Sequence, residues 1–239
     1  MRTIVMVILL SLGVSAFPTV NILNTGDIEE STDKIIKMKS NNPYGVFLIK
    51  GKYYIKPVEV IFKDGTAGGE AFYTIDITTK QGNPEFIVSG IRKISINTYK
   101  ELEKVKEVFQ YGKSSKSEKT INIEFGEKKY TLSRVYKEYI VKYDEGKNIY
   151  KEKMYVYIIK TFFGNKAMEQ EFQYSFDLEY DIKMDPIVWI GDLDSDKKLD
   201  IVLNYNGLAW GEKGLFLSLY ATKGEIVHEV DSSTNWSTN

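Results

Sequence analysis

The stretch GDLDSDKKLD, residues 191–200, places a carboxylate at every second position, Asp192, Asp194 and Asp196, and a fourth at Asp200. A hard cation such as Ca²⁺ takes roughly six to eight oxygen ligands, and a short loop supplies them by pointing alternate side chains inward. Asp192, Asp194 and Asp196 meet that requirement at the first, third and fifth positions; the backbone carbonyl of Lys198 follows at the seventh and Asp200 at the ninth. Mg²⁺ demands a near-ideal octahedron and keeps its water, so a flexible loop rich in carboxylates suits the larger ion better. The alternative is a solvated acidic turn neutralised in part by Lys197 and Lys198, because Asp also favours turns through hydrogen bonds to its own backbone. Alternate carboxylates in a tight loop repel one another without an ion, which weighs toward the cation.

The flanks narrow the comparison. PIVWIG before the loop and LDIVLNY after it are rich in strand formers, so the loop joins two strands and not two helices as in an EF-hand. Over residues 189–203 the segment resembles the strand-loop-strand calcium motif D-x-D-x-D-G-x-x-D of FG-GAP and integrin-like repeats, and is similar to the first half of dockerin-type loops. The resemblance implies Asp192, Asp194, Asp196, the Lys198 carbonyl and Asp200 as ligands and Ca²⁺ as cofactor. It departs from the pattern at Lys197, where the family has glycine, and in occurring once, so it implies an ion site and no propeller.

Other chemistry has less to work with. His228 is the one histidine and Cys is absent, which excludes the usual zinc sites. With no G-x-S-x-G turn in the chain, a nucleophilic triad has no signature. Asp177, Glu179 and Asp181 share one face of an alternating segment and offer a carboxylate-dependent hydrolase as an alternative, although alternation alone explains them; Asp185 lies seven residues before Asp192. Trp210, in NYNGLAWGEKG, reads as a loop residue between Gly207 and Gly211; with Asn204 and Asn206 it offers a carbohydrate-stacking surface as a second alternative. The leading expectation is a non-enzymatic protein whose partner is another protein or a carbohydrate.

The elements that must position these residues are mostly strands. Tyr (17) and Phe (12) are abundant and Pro (5) is scarce, a bias toward mainly β structure in antiparallel, sandwich- or meander-like sheets. YGVFLIK-GK-YYIKP reads as a hairpin turning at Gly51, with Pro57 marking an edge. TINIEFGEKKYTLSRV reads as another, turning at Gly126 and Glu127. Residues 173–185 alternate strictly and should pair with KMYVYIIKTFF across Gly164 and Asn165. LFLSLYA and EIVHEV complete the strand set. One helix is expected around 98–110, capped by Asn97 or Thr98, from the spacing of Leu102, Val105, Val108 and Phe109. A polar lead-in, residues 17–43, carries a possible short helix starting at Ser31 or Thr32, and residues 44–239 read as a single domain.

The N-terminus reads as a secretory signal: Arg2, an apolar run from Ile4 to Val14, and the small-x-small Val14-Ser15-Ala16 with cleavage after Ala16. The run is too short for a spanning helix, so the expectation is an exported protein, periplasmic or extracellular, with no transmembrane span in the mature chain. Removing Arg2 takes one of 32 basic residues and leaves 31 against 33 acidic ones, a balance that gives no reason to expect a nucleic-acid partner.

Overall fold

The structure, a computed structural model, describes residues 20–23, 26–28, 32–64, 75–109, 118–143, 148–173, 187–206 and 210–236. The first part of the chain forms β1 (Asn21–Leu23), β2 (Gly26–Ile28), α1 (Thr32–Ser40), β3 (Tyr44–Ile49), β4 (Lys52–Pro57), β5 (Val60–Asp64), β6 (Ile75–Thr79) and β7 (Phe86–Ser89). The middle forms β8 (Asn97–Thr98), α2 (Leu102–Phe109), β9 (Lys119–Phe125), β10 (Lys128–Tyr143), β11 (Asn148–Phe163) and β12 (Lys166–Gln173). The last part forms β13 (Ile187–Asp192), β14 (Asp200–Asn206), β15 (Trp210–Leu217), a 3₁₀ turn at Ser218–Tyr220 and β16 (His228–Trp236).

All described strand pairs are antiparallel, in three sheets: β1-β7-β3-β4, the meander β12-β11-β10-β9, and an eight-stranded sheet β5-β6-β2-β16-β15-β14-β13-β8. The fold is therefore the mainly β, antiparallel one that composition and patterning point to. The hairpins at Gly51 and at Gly126–Glu127 form as read, and β4 ends at Pro57 on the edge of its sheet. The polar lead-in contributes β1, β2 and α1, whose strands pair with β7, β6 and β16.

Burial follows the pattern of the sequence. In β9, Ile123 and Phe125 are buried while Thr120, Asn122 and Glu124 face out, the period of two that marks a strand with one wet face. β13 differs: every residue from Ile187 to Asp192 is buried, as are Asp200 to Leu203 of β14. These two strands lie where the sheets and α2 converge. α2 buries Leu102, Val105 and Phe109 at helical spacing, packs on β13 and β9, and sets Phe109 edge-on to Tyr157 of β11 at 5.5 Å. Each such side chain contributes about 1.5–3 kcal/mol of burial. A smaller cluster of Leu23, Met38, Phe47, Val58, Val60 and Ile87 seats α1.

Four sequence readings need correction or relocation. Asn97 and Thr98 do not cap the helix; they form β8, opposite Asp192 and Gly191 of β13, and Thr98 Oγ1 accepts from the Trp189 indole at 3.0 Å. Tertiary pairing wins over local capping there, and α2 begins only at Leu102, whose N–H donates to Tyr99 O. The strand read through LFLSLYA stops at Leu217, because Ser218 turns away to meet the acidic loop. Trp210 opens β15, with its backbone paired to Trp236, and is not a loop residue. The partner of β11 across Gly164–Asn165 is Lys166–Gln173; residues 174–186, the rest of the expected long strand, lie outside the described residues, as does the apolar N-terminal run. Among the described residues no helix is long and apolar enough to cross a membrane.

Gly191 is the tightest point in this convergence. A Cβ there would fall inside the van der Waals envelopes of Asn97 O and the Trp189 ring. Overpacking of this kind typically costs about 1–3 kcal/mol, and the obstruction is backbone on one side. Gly191→Ala is expected to lower stability by roughly 3 kcal/mol in urea denaturation, whereas Gly224→Ala, where nothing lies within 4 Å, should lose no more than the strain of its positive φ.

Candidate metal centre

The acidic loop runs from the end of β13 to the start of β14. Leu193 and Leu199, one near each end, are fully buried in the main core, and their burial draws the loop down between the strands. Asp200 is 0% exposed, Asp192 4% and Asp194 7%. A solvated turn would leave these side chains in water, so that alternative does not fit the three. Ser195 and Lys197 sit at φ 65° and 64°, in the left-handed region that costs a non-glycine residue about 1–2 kcal/mol. The position where the resembling loops carry glycine thus has the glycine-type backbone here, on a lysine.

The carboxylates divide into two sets. Asp192, Asp194 and Asp200 each offer an oxygen, and these atoms lie within 4.8 Å of one another. Two oxygens bound to one Ca²⁺ at about 2.4 Å are at most about 4.8 Å apart, so the spacing is compatible with one shared ion. Backbone N–H groups hold the set in place. Asp196 N–H donates to Asp192 Oδ1 (3.2 Å) and Asp194 Oδ1 (3.1 Å), and Lys197 N–H to Asp192 Oδ2 (3.1 Å). Leu193 N–H donates to Asp200 Oδ2 and Ser218 N–H to Asp200 Oδ1, both at 2.8 Å. Asp194 Oδ2 is buried and has no hydrogen-bond partner among the described residues. An orphaned carboxylate oxygen in the interior is costly unless a proton or a cation meets it.

Asp196 belongs to the second set. Its Oδ1 accepts from the Lys198 backbone N–H at 2.7 Å, and its Oδ2 from Lys198 Nζ at 3.0 Å and Ser218 Oγ at 2.8 Å. The Lys198 ammonium therefore pairs directly with Asp196, and reaches Asp194 only as a weaker, more distant charge. Burial, then the negative charges of Asp196 and Asp192, push Asp194 up to about 6 against the opposing Asp196 N–H and Lys198. Burial and the Asp194 charge raise Asp200 well above the usual carboxylate range despite its two backbone donors. Both groups resist ionisation as long as nothing positive joins them.

Neighbouring elements close around the loop. Ser195 Oγ bonds Ser95 Oγ at 2.9 Å, and Ser95 N–H donates to Leu193 O at 3.0 Å. From the meander, a Cβ on Gly126 would stand 3.0 Å from Lys197 O. The hydroxyl of buried Tyr130 hydrogen-bonds the Leu199 backbone and is pushed up to about 12, first by burial and then, against that bond, by Asp196 and Asp200.

Of the residues singled out by sequence, the structure brings together Asp192, Asp194 and Asp200 and turns the side chain of Asp196 aside. Asn204, Asn206 and Trp210 lie toward the other end of the β14–β15 pair. Asp200 and Asn206 are six residues apart on β14, about 20 Å at strand rise, so that end is not part of the acidic cluster. His228, the first residue of β16, is half-exposed and bonds Glu225 of the preceding turn at 2.9 Å. Asp177, Glu179, Asp181 and Asp185 lie outside the described residues. The residue missed by sequence reasoning is Ser218. It reaches the loop from 18 positions after Asp200 through the β14–β15 hairpin, and no local spacing could have found it.

Two outcomes follow. Lys197→Gly should relieve the left-handed strain and raise stability by about 1 kcal/mol in chemical denaturation. In excess chelator, pH should act through Asp194. Its folded value near 6 stands above its unfolded one, about 3.9, so its contribution is complete below about pH 4 and is lost as pH rises through 6. The melting temperature of the metal-free protein should fall between pH 4 and 7 by more than that of Asp194→Asn, which lacks the titration. No family model, no curated protein and no solved structure matches this chain.

Proposed function

We propose that this is an exported, β-rich protein that binds one divalent cation, Ca²⁺ by preference, through Asp192, Asp194 and Asp200, and that its role is structural or binding and not catalytic. The observation that carries the reading is the trio of buried carboxylates within 4.8 Å, one with a buried oxygen that has no hydrogen-bond partner among the described residues. All the donors offered are carboxylate oxygens, which suits a hard ion. Export is supported by the N-terminal run and its small-x-small end. Such loops in extracellular modules bind with a dissociation constant of about 10⁻⁴–10⁻³ M, so in that setting the site would need millimolar Ca²⁺ to fill.

The expected role follows from that magnitude. At about 1 mM Ca²⁺ the linkage stabilisation is roughly 0.4–1.4 kcal/mol. That is enough to clip the end of β13 to the start of β14, and too little to switch the fold. An ion between these strands would offset two of the trio's three negative charges and hold the loop that touches the β8 segment, the β9–β10 turn and Ser218.

Differential scanning calorimetry in excess EDTA and in about 10 mM CaCl₂ tests the reading. At that concentration the protein should melt roughly 3–10 °C higher with calcium. Asp194→Asn should show little of the rise while melting within a few degrees of the parent in EDTA. A parent insensitive to calcium contradicts the proposal, and an equal rise in Asp194→Asn assigns calcium to some other site.

A further inference from the structure

The geometry points to Ser218 and Lys198 as a latch that withholds Asp196 from the cation, so that the site works with three carboxylates when its sequence provides four. The inference rests on the cation reading above and concerns what sets the affinity of that site. The Asp196 backbone is at the heart of the cluster, since its N–H donates to both Asp192 and Asp194. Its side chain goes elsewhere. Both carboxylate oxygens are taken by the Lys198 backbone N–H, the Lys198 ammonium and the Ser218 hydroxyl, at 2.7, 3.0 and 2.8 Å. For Asp196 to join the trio its carboxylate must leave these partners, and that movement breaks the bonds its oxygens make in the present position.

The two latch residues differ in kind. Ser218 is 5% exposed and fixed from behind, because its own N–H is bound to Asp200; its hydroxyl is a rigid donor in a place water barely reaches. Lys198 is 42% exposed along its side chain, against 11% for Asp196, so its ammonium is screened and contributes less. Ser218 is therefore the main catch. The cluster has its second, independent mark of a ligand in Asp194, 7% exposed with Oδ2 unpartnered.

Isothermal titration of CaCl₂ into the chelator-treated protein at neutral pH tests the latch, with the parent and Asp196→Asn as the two reference proteins. Ser218→Ala combined with Lys198→Met frees Asp196 and should tighten calcium binding about ten-fold. The same pair placed on Asp196→Asn should change affinity less than about three-fold, since removing the lysine charge is then the only effect left. Ser218→Ala alone should give most of the gain. Ser218→Ala keeps the backbone N–H that holds Asp200, and melting in EDTA verifies that each variant is folded. If the pair is unstable, Lys198→Met alone should tighten binding about three-fold in the parent and less in Asp196→Asn. Calcium binding by the parent with no tightening in the variants, or equal tightening with and without the Asp196 carboxylate, overturns the latch and leaves the site standing. No binding by the parent overturns both.

Discussion

Three carboxylates cannot all remain ionised within 4.8 Å of one another in a protein interior without something positive between them. At an effective dielectric of about 20, each pair at that spacing repels by roughly 3 kcal/mol, and three pairs approach the whole stability of an ordinary domain, about 5–15 kcal/mol. The interior must supply a proton or a cation. Everything else about the loop follows from how the chain keeps the trio together regardless. Leu193 and Leu199 pull the segment inward, five backbone N–H bonds hold the carboxylates, and two residues accept left-handed backbone to make the turn.

Asp200 is the node of that arrangement. Its two oxygens tie the start of the loop, through Leu193, to the end of β15, through Ser218, while Asp192 faces Asn97 across the β13–β8 ladder. One carboxylate thus couples the loop to the next hairpin of the same sheet. The β9–β10 turn of the meander then closes over it through Gly126 and Tyr130. An ion there would act where the sheets meet, at the buried ends of β13 and β14, and its effect would be on the fit of these elements and not on any one of them.

Much of the fold was legible because period-two alternation and turn residues carry it. The hairpins at Gly51 and Gly126 and the helix buried through Leu102, Val105 and Phe109 are local features. The errors arose where a distant partner decided the outcome. Asn97 and Thr98 look like helix caps until Asp192 and Gly191, more than ninety residues on, pair with them. Ser218 looks like one more strand residue until Asp196 and Asp200 claim it. In the site itself the alternation of Asp192 and Asp194 and the addition of Asp200 could be read from spacing. The side-chain direction of Asp196 could not, because Lys198 and Ser218 compete for it at short range.

The most direct measurement is a crystal structure grown from millimolar Ca²⁺ with anomalous data. The cation reading requires an anomalous peak about 2.3–2.6 Å from oxygens of Asp192, Asp194 and Asp200, with Asp194 Oδ2 among its ligands. A pair of these carboxylates in direct contact at about 2.5–2.7 Å, sharing a proton, with no peak between them, would contradict it.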